Sequence, residues 1–139
     1  MKLLQYLFTF ALIMVLHAVS FGQCDSTAVR AGTLLQKNFV PDGQSYRALL
    51  FDDQIAEFNT TFYGGSTYRV VAYAGTDPGQ LTFSLYDTQN NELFTNENHN
   101  NASYWDFKFN STMEGRIEAK LDLSKQKSGC AVLLIGFER

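Results

Sequence analysis

Apolar and polar residues alternate along most of the chain after residue 44, which is the pattern of β-strands with one buried face. The stretch from residue 103 to residue 110 shows it most plainly, because Trp105, Phe107 and Phe109 fall on one face. Turns rich in Gly, Asp and Asn separate the alternating segments. The predicted strands cover residues 45–51, 55–62, 67–75, 81–87, 91–96, 103–110, 115–123 and 130–137.

The last predicted strand, CAVLLIGF at 130–137, is apolar at nearly every position. That composition is typical of a strand covered on both faces, here by an opposite sheet and by an N-terminal helix. Residues 25–38 predict this helix, with Asp25 or Ser26 as its N-cap and apolar residues at helical spacing. The following stretch VPDGQS, residues 40–45, predicts a turn because it contains Pro and Gly.

Eight short strands preceded by one short helix predict an all-β fold. We expect an antiparallel β-sandwich of jelly-roll type, and an open-sided barrel is the alternative. Once an N-terminal signal is removed, the remaining length suits a single domain over residues 23–139.

Residues 1–22 have the parts of a secretory signal peptide. Lys2 supplies the positive end, an apolar run follows, and the small residues Ser20 and Gly22 precede a cleavage site at Gln23. The apolar run is interrupted by polar residues and is shorter than the about 20 residues of a membrane span. We therefore expect cleavage and export to the periplasm or the cell exterior, with no stable membrane anchor afterwards. A permanent N-terminal anchor is the alternative.

The two cysteines, Cys24 and Cys130, allow two interpretations. Cys24 directly follows the signal, where a lipid-anchored cysteine would lie, but such a site needs a small residue before the cysteine and this chain has Gln23. An exported protein with two cysteines more often pairs them. We therefore predict a Cys24–Cys130 disulfide, whose loop of about a hundred residues corresponds to about 4–5 kcal/mol in the chain-entropy model.

Eleven basic and fourteen acidic residues give the chain a net charge of −3, and the two signs are interspersed. Binding to nucleic acid or to an anionic membrane surface needs a clustered basic patch on the protein, so neither partner fits this chain. A mildly acidic, mixed surface mainly promotes solubility.

Candidate catalytic and metal-binding residues are few. His99 is the single histidine after the signal, and no GxSxG motif accompanies it, so zinc and Ser-His-Asp chemistry are disfavoured. Asp52, Asp53 and Asp87 could bind calcium or hydrolyse glycosides, but aspartate is also expected at turns between strands. We therefore expect a non-enzymatic binding or interaction module without a metal or cofactor. A small hydrolase using Asp or Glu carboxylates is the alternative.

Tyrosines at outward strand positions lie next to an asparagine-rich loop, NENHNNAS. Exposed aromatic rings stack on sugars, asparagine side chains hydrogen-bond their hydroxyls, and loops on rigid scaffolds often carry recognition. The sequence thus predicts a ligand site at Asn98, His99, Asn101 and Tyr104, for a carbohydrate or an envelope protein. Tyrosine is also an ordinary residue at half-exposed strand positions, which is the alternative. The three N-glycosylation sequons, which matter only in a eukaryotic secretory pathway, begin at Asn59, Asn101 and Asn110.

The stretches YRVVAYAG, FSLYDTQNNELF and GCAVLLIGF resemble those of small β-sandwich modules found beside extracellular bacterial enzymes, such as pre-peptidase C-terminal domains. This resemblance covers residues 46–138 and rests on the hydrophobic pattern. The signal ending in FGQ is similar to the signals of Bacteroidota envelope proteins. Together these likenesses imply a secreted or periplasmic β-sandwich and leave its ligand open.

Overall fold

A computed structural model describes Met1 and residues 19–75 and 77–139. The predicted signal peptide lies mostly outside these residues and stays a prediction. Among the described residues, no helix is long and apolar enough to cross a membrane. The elements are helix α1 (Val19–Leu35), a 3-10 helix (Asn96–His99), and strands β1 (Phe39–Phe51), β2 (Ile55–Phe62), β3 (Thr67–Ala74), β4 (Leu81–Tyr86), β5 (Glu92–Thr95), β6 (Tyr104–Lys108), β7 (Met113–Leu121) and β8 (Ser128–Glu138).

The eight strands form two four-stranded antiparallel sheets. Sheet A has the order β1-β8-β3-β6, and sheet B has the order β2-β7-β4-β5. The first strand pairs with the eighth, the second with the seventh, the third with the sixth and the fourth with the fifth. This is the pairing of one long hairpin rolled into two sheets, so the predicted jelly-roll sandwich is confirmed.

The main core lies between the two sheets and is built by the predicted alternation. Phe62, Phe83 and Ile117 are almost completely buried in it, each on the inward phase of its strand. Trp105 and Phe107 of β6 are partly buried against the same core. Within these strands, period-two alternation in the sequence therefore identified the inward faces correctly.

Strand β8 is covered on both faces, as its composition predicts. Leu133 and Ile135 belong to the core between the sheets, whereas Val132 faces the opposite way. On that outer side, Ala31 and Leu35 of helix α1 pack against Val132 and are buried themselves. The helix thus closes a second, smaller core on the outer face of sheet A.

The predicted disulfide joins helix α1 to strand β8. Cys24 and Cys130 are bonded with an S–S distance of 2.04 Å and lie 106 residues apart in the sequence. Cys24 comes from the N-terminal part of α1, and Cys130 faces the small core under the helix. The bond therefore fixes one end of the helix to a central strand of sheet A.

The helix boundaries differ from those predicted. Helix α1 begins at Val19 instead of residue 25, so Asp25 and Ser26 lie inside the helix and the prediction that one of them is the N-cap is wrong. The helix ends at Leu35, because Gln36 adopts a left-handed conformation with φ of 60°. Inside the helix, Asp25 forms an ion pair with Arg47 of β1 instead of capping.

Two strand boundaries also need correction. The predicted turn at residues 40–45 is an irregularity within β1, where the pairing with β8 shifts between Pro41 and Ser45. Gly43 supplies the positive φ, 87°, and an edge strand tolerates the proline because it lacks only an N–H that would face solvent. At the other end of the fold, β7 stops at Leu121, so Leu123 is exposed instead of inward.

Removal of the disulfide should destabilise the fold. Combining Cys24→Ser with Cys130→Ser is expected to lower the free energy of unfolding by about 2–5 kcal/mol, the range for native disulfides in small exported domains. Urea denaturation followed by tryptophan fluorescence measures this change, because Trp105 packs against the core. A reducing agent should shift the transition of the native chain and leave that of the double variant unchanged. Two free thiols in the unfolded, unreduced chain would contradict the bond.

Candidate functional site

A groove opens on the outer face of sheet A beside helix α1. The helix packs on β8, β3 and β1, and the outward side chains of β6 lie next to its C-terminal end. The groove has a volume of about 720 Å³. We call it the α1 groove, and its lining residues are Leu34, Tyr73, Pro78, Ala102, Ser103, Tyr104, Trp105 and Asp106.

The surface of the α1 groove is mainly apolar and aromatic. Tyr73 of β3 is 9% exposed and Tyr104 of β6 is 38% exposed, and both face the outer side of sheet A. Pro78 belongs to the loop between β3 and β4, whose Gly79 N–H donates a hydrogen bond to Ser103 Oγ at 3.2 Å. The loop wall is therefore tied to the segment that leads into β6.

A buried arginine organises the neighbouring edge of the groove. Arg69 of β3 is 7% exposed, and its Nε and Nη2 donate to the two carboxylate oxygens of Asp106 at 2.7 Å each. Its Nη1 donates to the carbonyl oxygen of Leu34 at 3.2 Å, in the last turn of α1. The guanidinium also lies over the rings of Phe39 and Tyr104, 4.4 and 4.3 Å from their centroids. We call this set of contacts the Arg69 clamp.

The Arg69 clamp has two consequences for the groove. The hydrogen bonds to Asp106 raise the pKa of the Arg69 guanidinium above its usual value, and the opposite charges of this ion pair compensate each other. Stacking on the guanidinium holds the Tyr104 ring in place without closing the groove. The groove is therefore preformed and has little net charge at its β6 side.

The four residues predicted as a ligand site face different surfaces. Tyr104 lines the α1 groove, whereas Asn98 borders a cavity of about 330 Å³ on the outer face of sheet B. His99 stacks on Phe94 and also packs, tilted by 37°, against Trp105 with ring centroids 4.2 Å apart. Trp105 points to the opposite face of β6 from Tyr104. Asn101 donates from Nδ2 to Asp122 Oδ2 at 3.0 Å. The four side chains share no single cavity, and ligand contact by any of them stays a prediction.

Sequence reasoning missed Arg69 and Asp106. Both are charged residues on strands, and only the pairing of β3 with β6 places them opposite each other. The one available signal was an arginine inside the otherwise apolar stretch TYRVVAYA. A charged side chain in a strand covered on both faces needs a partner of opposite charge. The sequence therefore indicated a buried ion pair for Arg69 but did not show which acidic residue forms it.

Of the aspartates considered for catalysis or calcium binding, Asp87 and Asp52 lie in turns. Asp87 accepts hydrogen bonds from the Asn91 side chain at 2.8 Å and from the backbone N–H groups of Asn91 and Gln89 at 2.9 and 2.8 Å. The Asn91 side-chain bond and these backbone bonds lower the pKa of Asp87. Asp52 lies in the turn after β1 with φ of 51°. In the part of the chain that the structure describes, no three His, Cys, Asp or Glu residues are grouped to hold a metal ion.

A second cavity, of about 460 Å³, lies over the outer face of sheet B and is polar. Its Arg116 is already engaged: it pairs with Glu118, donates to Asn90 Oδ1 at 2.9 Å, and lies 4.8 Å over the ring of Tyr86. The arginine of this cavity is therefore already held by other side chains, and the lining offers no apolar anchor site, which makes it a weaker candidate than the α1 groove.

Comparisons with known proteins give a likeness in fold. Neither the family models nor the curated proteins contain a match to the chain. Among solved structures, the chain is similar to PliG from Aeromonas hydrophila, described as a periplasmic lysozyme inhibitor of g-type lysozyme. The TM-score is 0.52 at 8% sequence identity, and the match covers 68% of this chain and 85% of PliG. The likeness supports a β-rich fold, and none of these comparisons supports the expected resemblance to pre-peptidase C-terminal domains.

The Arg69 clamp should contribute measurably to stability. Arg69→Lys keeps the positive charge but loses the paired hydrogen bonds and the planar stacking, so the free energy of unfolding should fall by about 1.5–3 kcal/mol. The matched control is Arg47→Lys, whose ion pair with Asp25 is exposed at 39% and 70% and should be worth less than about 1 kcal/mol. Urea denaturation of both variants measures the difference. Equal losses for the two variants would show that the buried clamp has no special role.

Asp122 should make the fold sensitive to acid. Its Oδ1 accepts from the hydroxyl and the N–H of Ser124, at 2.6 and 3.0 Å, which lowers its pKa below the usual 3.8. The pKa of Asp122 is lower in the folded state than in the unfolded state. These hydrogen bonds therefore stabilise the fold at pH values above the unfolded-state pKa, and the stabilisation is lost as the pH falls through the folded-state pKa. Asp122→Asn should therefore show a smaller loss of unfolding free energy between pH 5 and pH 2 than the native chain. Ser124→Ala should give a partial version of the same change, and parallel pH curves for all three chains would contradict the assignment.

Proposed function

We propose that the chain is an exported, non-enzymatic binding module that recognises a protein partner through the α1 groove. The observation that carries this proposal is a preformed groove of about 720 Å³ whose surface is mainly apolar and aromatic. Such grooves bind anchor side chains of a partner, because a buried apolar side chain in a fitted pocket supplies most of the affinity of a small interface.

The polar groups around the groove favour a protein partner over a carbohydrate. The carboxylate of Asp106 is held by Arg69, and Ser103 Oγ accepts from the Gly79 N–H. A sugar needs several hydrogen-bonding groups for its hydroxyls, and the groove offers few that are not already engaged. The proposed partner is therefore an envelope or extracellular protein, and carbohydrate binding is the competing outcome in the test below.

Export and a binding role have separate support. Disulfides such as Cys24–Cys130 form and persist in oxidising compartments, which agrees with the signal-like N-terminus. The solved structure with a similar fold, PliG, is a periplasmic inhibitor, which supports the class of exported binding modules and makes g-type lysozyme a partner worth testing. Of the residues first predicted as a ligand site, Tyr104 belongs to the proposed groove, and Asn98, His99 and Asn101 would contact a partner only outside it.

Filling the groove should weaken binding strongly. Ala102→Arg places a long side chain in the groove, while the Ala102 backbone keeps its bonds to Asn96 and His99. The matched control is Asn110→Arg, which introduces the same long, charged side chain at an exposed position after β6. The probes are purified g-type lysozyme, a displayed library of random nine-residue linear peptides, and a glycan array.

We expect protein or peptide binders whose affinity falls at least tenfold, about 1.4 kcal/mol, in the Ala102→Arg variant and stays unchanged in the control. Both variants should keep the unfolding midpoint of the native chain in urea, which shows that the groove and not the fold was altered. Binding of glycans alone, or binders that ignore the Ala102→Arg substitution, would contradict the proposed function.

A further inference from the structure

We propose that the partner of the α1 groove binds as an extended peptide segment that pairs with the free edge of strand β6. This inference rests on the proposed function and specifies its recognition mode. It depends on two features that meet at β6: unpaired backbone groups at the edge of sheet A, and the groove that begins at the same residues. Together these are the elements of strand addition, in which backbone bonds give affinity and a pocket gives specificity.

The free backbone groups follow from the register of β6 on β3. Ala72 N–H donates to Ser103 O at 2.9 Å, and the register continues without a bulge through Val71↔Tyr104 and Arg69↔Asp106. In an antiparallel ladder, directly opposed pairs alternate between bonded and non-bonded, so Tyr104 and Asp106 are the non-bonded ones. Their N–H and C=O groups point away from β3, and among the described residues no hydrogen bond satisfies them.

The same two residues border the α1 groove. In a strand, the backbone groups lie in the plane of the sheet and the side chains lie above and below it. A peptide bonded to Tyr104 and Asp106 would therefore extend sheet A, and every second side chain would lie over its outer face beside the groove. One apolar side chain of such a peptide can enter the groove next to the Tyr104 ring.

Charge at this edge limits which peptides fit. Asp106 is compensated by Arg69, whereas Lys108 lies on the same face of β6, is exposed, and forms no ion pair within the described chain. Lys108 is four residues, roughly 13 Å, beyond Tyr104 along the strand. In an antiparallel addition, a peptide with an apolar residue opposite Tyr104 would place the residue four positions earlier opposite Lys108. The fitting sequence therefore has Asp or Glu four residues before an aromatic or aliphatic residue.

The other edges of the two sheets are less suited to accept a strand. The pairing of β1 is irregular between Pro41 and Ser45, and β5 has four residues with a shift opposite Leu85 and Tyr86. Strand β2 is regular, but one cavity beside it is lined by Asn, Thr and charged residues. The other cavity beside β2, of about 580 Å³, has a mixed lining in which Asp42, Gln44 and Asn59 accompany aromatic side chains. Among the described edges, β6 therefore combines a regular ladder with the most apolar groove.

The test begins with the displayed library of nine-residue linear peptides and the full chain. Enriched peptides should share an acidic residue four positions before an apolar one. A synthetic copy of the most enriched peptide is then N-methylated at one amide at a time. Because only alternate amides of an added strand face β6, methylation should lower affinity at least tenfold at every second position and have little effect at the positions between.

Three substitutions at Lys108 test the same geometry from the protein side. The Lys108 N–H points away from β3, as the Tyr104 N–H does. Lys108→Pro therefore removes one donor from the free edge without breaking a hydrogen bond to β3. Lys108→Thr is the matched control, since it removes the same charge and keeps the N–H. We expect Lys108→Pro to weaken peptide binding at least threefold more than Lys108→Thr does. Lys108→Glu should select library peptides with Lys or Arg in place of the acidic residue.

The outcomes separate the strand mode from the proposed function. Peptides that are lost in the Ala102→Arg variant but show no alternation on N-methylation would overturn strand addition and leave the groove as the binding site. A library that yields no peptide would likewise overturn strand addition, while a folded protein bound through the groove would still support the proposed function. Affinity that is unchanged in the Ala102→Arg variant and in the Lys108 variants would overturn strand addition and the proposed function together.

Discussion

Strand β8 must be covered on both faces, and the rest of the molecule depends on how its outer face is covered. Val132 and Cys130 would be exposed on sheet A without helix α1. A helix of 17 residues has marginal stability alone, so its position has to be fixed by tertiary contacts. The disulfide to Cys130 fixes its N-terminal part, and the Arg69 bond to the Leu34 carbonyl oxygen fixes its last turn. The helix is thus held at both ends by chemically different bonds.

The α1 groove results from the way helix α1 covers the outer face of β8. Because α1 packs along β8 and its neighbours, its flank and the outward side chains of β6 form the two sides of a groove. Arg69 connects these sides, since it contacts Leu34 on the helix and both Tyr104 and Asp106 on β6. A cation at the C-terminal end of a helix also interacts favourably with the helix dipole. The same residue therefore stabilises the helix and shapes the groove.

Most of the fold could be predicted from sequence, because period-two alternation marks most strands with their inward faces and a continuous apolar run marks β8. The start of α1 could not be predicted, because the residues before Cys24 have the pattern of a signal peptide and no N-cap among them marks where a helix begins. The region around Pro41 and Gly43 has turn residues, yet an edge strand can hold both in a bulge. Local sequence signals give propensities, and the position of a segment in the sheet decides between a turn and a bulge.

The candidate site was less predictable because it depends on pairing between distant strands. Tyr104 could be recognised as outward from its phase, but its neighbour Arg69 is 35 residues away and reaches it only through the register of β3 on β6. The conformation of the loop before β6 was unpredictable for a different reason. Asn96, which is fully buried, bonds to Phe83 N–H and to the Leu81 carbonyl oxygen, so the loop is pinned to β4 and its side chains turn to several surfaces.

Edge strands usually carry features that prevent pairing with other chains, and β6 shows how such protection can be removed. It is short, and charges at Asp106 and Lys108 would normally make it unattractive to another strand. Arg69 compensates the first of these charges, which leaves Lys108 as the one charge on that face without an ion pair among the described residues. A single remaining charge does not block every strand; it selects strands that carry the opposite sign at that position. The clamp that builds the groove therefore also converts a protected edge into a selective one.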